Sequence, residues 1–580
     1  MKDERSPTIT RRAFARGAAV MIGSLITAAC SANTTPTKIP TVVRSPPSAP
    51  RLPSPAPSST PSVGLAERVI YVDTRNANAD DANPDTVDHP LKTIGKAATI
   101  AADDSIGNMS IRIIIFPGVY RESVSLQPKG GPSQAPIHFQ AKENGMAIIT
   151  GSDVWTGWRK QGTTNVYTHN WPYKWGLAPY PPGWQGNVDL QPIVRRREMI
   201  FINGDALTSV LSDRELMEGT FFVSEQSATV SIMPPPGVQV ESATVEVATR
   251  ASIFAVDSAQ NLTVTGLVFR HGNTPIGGTA VTFMNSTNVI VEECQFLWNN
   301  WAGMSFHSDA PHSAQSMTAR RNVANYNGGI GMEASRVKDV LFEDNETSYN
   351  NWRGALGGMY QWANAGLKHL FVHGGIYRRH RAVGNQAPGC WFDTDCADIE
   401  ITDAFSCRNN GPGLFIEASQ GPTSATNCTI CDNQRESGIF SNGSSDVTLQ
   451  SNIIYGNRDV QLHIVKGTRS ARNWETNESL TIYPERWTMR QNIIVSTDTA
   501  PHLADIADSA RFFNTFVSAG NAWFSPQKSS TFILDGKGAS FAVWQSASHQ
   551  DADSRFIDPR FVAPENDDFR LRDDSPLLNK

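Results

Sequence analysis

Asn288-Val-Ile-Val-Glu-Glu-Cys294 opens a unit that recurs through the second half of this 580-residue chain. Related units are Asn261-Leu-Thr-Val-Thr-Gly266, Asp339-Val-Leu-Phe-Glu-Asp-Asn345, Asp398-Ile-Glu-Ile-Thr-Asp403 and Asp446-Val-Thr-Leu-Gln-Ser-Asn452. Each is a brief period-two alternation followed by a turn, the pattern of a short strand with one face buried. With Cys294, Asn322, Asn345, Gly375, Ala404, Cys428 and Asn452 as equivalent marks, the steps are 28, 23, 30, 29, 24 and 24 residues. No helical pattern fills the intervals, so a strand-helix-strand fold is excluded. Strands at this spacing stack instead as the coils of a solenoid.

One coil cannot bury its inner face alone, but stacked coils share a continuous apolar interior. A leucine-rich repeat would carry a denser leucine code, and a propeller would need longer units. The expected fold is therefore all-β: a right-handed parallel β-helix solenoid over 66–150 and 248–580, interrupted by a small β-sandwich-like domain over 151–247. Asn at the bends is expected to serve the scaffold, because its side chain bonds neighbouring backbone and tolerates tight turns. In the interruption the repeat disappears and Trp155, Trp158, Trp171, Tyr173, Trp175 and Trp184 accumulate, as the core of that domain or as the lining of a carbohydrate groove.

The strand before each marked unit carries the chemistry. These strands are Gly303-Met-Ser-Phe-His307, Gly329-Ile-Gly-Met-Glu333, Gly389-Cys-Trp-Phe-Asp393, Gly413-Leu-Phe-Ile-Glu417 and Gly438-Ile-Phe-Ser-Asn442. Alternation sends pairs such as Leu414 and Ile416 inward and places His307, Glu333, Asp393, Glu417 and Asn442 on one outer face. Asp393 and Glu417 fall in consecutive coils, so their carboxyl groups can approach to roughly 5 Å. Two acids at that distance resist joint ionisation, and one then supplies an acid while the other stays a carboxylate. Retaining glycoside hydrolysis needs that division, whereas inversion needs roughly 6.5–9.5 Å for a water. Asp395 is a third catalytic candidate, two residues beyond Asp393. Solvated surface acids are the competing explanation, and Trp391 and Phe415 beside them argue for a cleft.

Several segments resemble the pectate-lyase-like superfamily of right-handed β-helices. They are Ile70-Tyr-Val-Asp73, Asp85-Thr-Val-Asp-His-Pro-Leu-Lys-Thr-Ile-Gly-Lys-Ala-Ala98, Ile113-Ile-Ile-Phe-Pro-Gly-Val-Tyr-Arg-Glu122, and at the end Phe556-Ile-Asp-Pro559, Asp568-Phe-Arg-Leu571 and Ser575-Pro576. The layout of solenoid, inserted domain and aspartate-then-glutamate ladder is similar to β-helix glycosidases that include β-xylosidases. That resemblance implies Asp393 as nucleophile, Glu417 as acid/base, and a glycan or oligosaccharide as substrate. It also permits polysaccharide elimination, in which basic side chains relieve a sugar carboxylate, although the acid ladder supplies negative charge where such a substrate would need relief. A noncatalytic glycan-binding surface protein is the third reading.

Binding candidates surround the ladder. His307 and Glu333 share its face, and Trp362 and Asn364 align with Trp391 and Asp393. Trp352, Arg353 and Tyr360 belong to the same coil as Trp362. The segment Tyr377-Arg-Arg-His-Arg381, with His380 and Arg381, is placed to overhang the acids; Arg378 and Arg379 accompany them.

The first thirty residues read as processing signals. Thr10-Arg11-Arg12-Ala13-Phe14 and the apolar run Gly17 to Ala29 resemble a twin-arginine export signal over 1–30. Thr27-Ala-Ala-Cys30 resembles a bacterial lipoprotein cleavage site with Cys30 as the lipidated residue, and 31–65 is a Ser/Thr/Pro-rich tether. An exported protein held at the cell envelope by its lipid alone, and otherwise monomeric, is the expectation. Of the other six cysteines, Cys294, Cys390, Cys396 and Cys428 read as small buried hydrophobes, while Cys407 and Cys431 occupy equivalent coil positions where oxidation could bridge them.

A net charge of -6, from 50 Lys+Arg against 56 Asp+Glu, removes nucleic acid as the main partner. No phosphate loop, dinucleotide fingerprint, HExxH or calcium hand is present. No cofactor or metal is expected, although carboxylates around Asp393 and Asp395 leave calcium open.

Overall fold

The computed structural model describes residues 66–105, 109–129, 134–310, 313–527 and 529–578. The expected export signal, Cys30 and the tether lie outside them. The body is a parallel β solenoid with three strands to most coils. One ladder runs through Phe254–Asp257, Thr279–Met284, Ala302–His307, Cys390–Asp393, Leu414–Glu417 and Ser437–Asn442. A second runs through Gln260–Thr265, Thr287–Glu292, Gln315–Arg320, Ala397–Thr402 and Ser445–Gln450. The third is made of three-residue strands such as Phe405–Cys407 and Thr429–Cys431. Met332–Glu343 and Leu367–Arg378 are long enough to serve the first two ladders in one strand.

The recurring Asn/Asp has a backbone reason. Asn261, Asn288, Asp339, Asp398 and Asp446 all sit at φ 53–54°, a left-handed bend that short polar side chains accept more readily than others. The bend lets each strand turn a corner and resume alternation, so Leu262, Val289, Val340, Ile399 and Val447 all enter the interior.

A second asparagine set ties coil to coil. Asn299, Asn327, Asn350, Asn385, Asn409, Asn433 and Asn457 form one buried column, each side-chain oxygen accepting from the backbone N–H and amide of the preceding member. Their separations are 28, 23, 35, 24, 24 and 24 residues. The 35-residue coil corrects the repeat marks. Phe405 N–H bonds the carbonyl of His380, as Thr429 N–H bonds that of Ala404, so His380 rather than Gly375 is the equivalent of Ala404. The extra length is the short helix Trp352–Leu356 and the loop that follows it.

The interruption builds two small sheets. Ser152–Val154, Ile200–Ile202, Asp205–Ala206 and Val245–Ala248 form one; Arg159–Lys160, Tyr167–Asn170, Thr208–Val210, Thr220–Ser224 and Thr229–Met233 form the other. Trp171 fills their shared core with Trp155, Trp158, Tyr173 and Trp175 packed around it. Trp184 does not join them; it packs with Trp301, Ile330, Met359 and Trp362 on the outside of the solenoid.

Helices appear where only strands were expected. Ile94–Asp104 buries Ile94, Ala97, Ala98, Ala101 and Ala102, with Thr93 as N-cap, near the first coils. Phe541–Ser548 buries Trp544 against Trp523 and Phe532 at the other end. Cys407 and Cys431, register partners in the third ladder, are bridged, and the other four described cysteines are free and buried.

Candidate active site

The outer row of the first ladder positions the acids. Asp393, Glu417 and Asn442 are register partners on three successive strands. The flanking positions Phe392 and Ile416 point inward and are at most 1% exposed, so the acids are set on the opposite face. Neighbouring strands lie about 4.8 Å apart, which sets the scale of the Asp393–Glu417 gap.

Each acid carries its own cation. Lys368 Nζ lies 2.7 Å from Asp393 Oδ2, and Thr394 Oγ1 donates to Asp393 Oδ1 at 2.7 Å. Arg469 lies 2.5 Å from Glu417 Oε1, and Asn442 Nδ2 donates to the same oxygen at 3.2 Å. The mutual repulsion of the two carboxylates is thus opposed from both sides. Neither cation was among the sequence candidates.

Lys368 also marks a register error in the sequence reading. Gly331, not Gly329, is equivalent to Gly303, since Met304 N–H bonds the Gly331 carbonyl and Met332 N–H that of Gly366. A Cβ at Gly331 would lie 2.6 Å from the Gly366 carbonyl oxygen, so that position excludes a side chain. Ser335 therefore pairs with His307, and Glu333 moves to the parallel row Ser305, Glu333, Lys368, Trp391, Phe415 and Phe440. Leu370, not Asn364, is opposite Asp393, and Lys368, not Trp362, is opposite Trp391. In this second row Lys368 Nζ sits 3.0 Å from the centre of the Trp391 ring, Trp391 stacks on Phe415 at 4.5 Å, and Phe440 lies tilted against Phe415 at 4.8 Å. Glu333 is raised to about 7, because burial outweighs the attraction of Lys368.

Asp395 faces elsewhere. Thr394 and Asp395 sit at φ 41° and 55°, which ends the alternation and turns the chain toward the second ladder. Its carboxylate accepts from Gln420 Nε2 at 2.8 Å and from the Trp474 N–H at 2.8 Å, with His373 Nε2 at 3.2 Å. It is fully buried, and those partners give it a bracing role at the corner rather than a place beside Asp393.

The remaining candidates scatter. His307 keeps the Asp393 row but lies three coils away, with Asp309 at 3.5 Å and an imidazole lowered by burial and Arg336. Arg353 is buried and bonds Asn300 Oδ1 at 2.9 Å and the Glu198 carbonyl at 2.7 Å, joining the inserted segment to the solenoid. Trp352 donates its indole N–H to the Tyr326 carbonyl in the same junction. Tyr360 lies under Arg435 at 4.2 Å, and Trp362 meets Trp184 at 6.2 Å. Asn364 is buried, with neither amide end hydrogen-bonded among the described residues.

The arginine-rich crossing does not overhang the acids. Arg379 is taken up by Asp344 and Glu343 on the outer surface, and Arg381 lies over Phe405 of the third ladder. His380 is buried, bonded to Thr347 Oγ1, and lowered to about 3 by desolvation. The segment that does reach the ladder is the antiparallel hairpin Arg469–Arg472 with Ser479–Ile482, which supplies Arg469, Trp474 and Glu475. It interrupts the repeat without resembling it, so alternation held no signal for it.

Comparison with known proteins agrees with the architecture. The model of the right handed beta helix region matches residues 237–374. The structure of XylC in complex with xylose superposes with a TM-score of 0.63 at 15% identity, over 85% of this chain and 87% of that one. A glycoside hydrolase gives 0.44 at 11% identity over 83% and 99%. The lacto-N-biosidase from Eubacterium ramulus gives 0.35 at 12% over 84% and 68%. No curated protein matches the chain. The strand ladders, the family model and the XylC superposition together make the chain a right-handed parallel β-helix.

Proposed function

We propose that the chain is a retaining glycoside hydrolase in which Asp393 attacks the anomeric carbon and Glu417 serves as acid/base. The observation that carries this reading is the pairing of Asp393 with Glu417 on adjacent strands of one outer row. One strand spacing is close to the roughly 5–5.5 Å that a double-displacement pair requires. In the first step an Asp393 oxygen bonds to the anomeric carbon as the glycosidic C–O bond breaks, and the Glu417 proton passes to the leaving oxygen. In the second, Glu417 takes a proton from water, whose oxygen displaces Asp393 and regenerates the carboxylate.

Lys368 favours the carboxylate form of Asp393 that the first step needs. The likeness to a xylose complex makes xylosides the first substrates to assay. Elimination loses its main support with the surface pairing of Arg379 and the burial of His380.

Asp393→Asn and Glu417→Gln are each expected to lower aryl-glycosidase activity by at least 10³-fold while thermal unfolding stays within a few degrees. A 2-fluoroglycoside should label Asp393, as read by peptide mass. Full activity in both variants, or products that absorb as newly formed double bonds, would refute the assignment.

A further inference from the structure

Between the strands Val460–Ile464 and Glu485–Arg490 the chain leaves the solenoid and folds back over the ladder as the Arg469–Ile482 hairpin. Among the described residues its two strands pair only with each other. Polar contacts hold it down, and they converge on the acids. Arg469 sits on Glu417, passing so close to Gly443 that a Cβ there would strike its side chain. The Trp474 N–H donates to Asp395, and Glu475 Oε2 lies 3.3 Å from Lys338.

His373 is the centre of this attachment. Its Nδ1 lies 2.6 Å from Glu475 Oε1 and its Nε2 lies 3.2 Å from Asp395 Oδ2 and 3.1 Å from the Asp395 carbonyl, while the Trp474 ring leans against it at 5.6 Å. A neutral imidazole has one N–H and can donate to one side only; an imidazolium donates to both. Burial lowers His373, but the hydrogen bonds and charges of Asp395 and Glu475 outweigh it and raise the group above an ordinary imidazole.

We propose that residues 465–484 form a proton-fastened strap across the ladder, in which imidazolium His373 ties Glu475 to Asp395 and the closed strap seats Arg469 on Glu417. The assignment of Arg469 as a positioning residue rests on the reading of Glu417 as acid/base. Seated, Arg469 favours the carboxylate that the water-attack step uses and opposes the protonated acid that the first step uses. The fastening is complete below the ordinary imidazole range and is lost as pH rises through the raised value.

Hydrogen–deuterium exchange of the intact protein tests the strap without any substrate. Corrected for intrinsic rates, exchange across 465–484 is expected to rise roughly tenfold as pH increases from 6 to 8. In His373→Gln and in Glu475→Gln it should be fast throughout. The same pH response in all three proteins would overturn the fastening. With an aryl glycoside, Arg469→Gln should move the alkaline limb of kcat/KM upward by about one pH unit. A uniform fall in rate with the limb unmoved would overturn the positioning role. If no glycoside is cleaved although the exchange difference is present, the strap stands and the acid/base assignment falls.

Discussion

Glu333 stands one strand from Lys368, and burial holds its carboxyl near neutrality at about 7. Between the unfolded value, near 4.5, and 7 the folded chain binds the extra proton. Its contribution to stability is therefore complete below the lower value and is lost as pH rises through the upper one. Glu333→Gln should remove a pH-dependent loss of about 3 kcal/mol between pH 4.5 and 7.5, read by denaturant unfolding at each pH. A parallel pair of pH profiles for variant and parent would contradict this. The misplacement of Glu333 in the sequence has a simple origin. Gly329 and Gly331 are two residues apart, so either start satisfies alternation; only the close approach of Gly331 to the next coil distinguishes them. Asp393 and Glu417 were legible because their strands have the same length, the same preceding glycine and a 24-residue coil between them. Lys368 was hidden by the 35-residue coil, which shifts every alignment across it.

Among the elements, the asparagine column bears most directly on stability. Asn409 accepts from Asn385 N–H and Nδ2 at 3.1 and 2.9 Å and donates to the Ala382 carbonyl at 3.0 Å, all in the interior. Asn409→Ala removes these three buried hydrogen bonds, leaving the Asn385 amide with only its bond to the Thr347 carbonyl, and should cost about 2–4 kcal/mol by urea unfolding. A loss below 0.5 kcal/mol would mean that water replaces the amide. The asparagines and aspartates at the bends were legible because they open each alternating unit; this buried column was not marked in the sequence, because its amides answer to the next coil rather than to strand alternation. Nor was the hairpin over the ladder, since its residues answer to Glu417, Asp395 and His373, partners remote in the chain.

For the whole molecule, the repeat made the solenoid legible, while its two ends were read only by resemblance. A stack of coils leaves an open backbone edge at each end unless something covers it. Trp544 of the Phe541–Ser548 helix lies 4.9 Å from Phe532, in the last strand of the first parallel ladder. Truncation after Leu534 should uncover Phe532 and Trp523 together with that edge. Concentration-dependent light scattering is expected, with the far-UV strand signal retained. A truncated chain that stays monodisperse would show that the helix is dispensable.

The column of amides also restricts how this surface can change in length. Every coil from Asn385 to Asn457 presents the same acceptor upward and the same donor downward, at an interval of 24 residues. Removing one such interval in frame rejoins the column without a gap; removing part of one breaks it. The outer rows therefore grow or shrink in quanta of one coil, about 4.8 Å, so their reach is counted in whole rungs rather than tuned continuously.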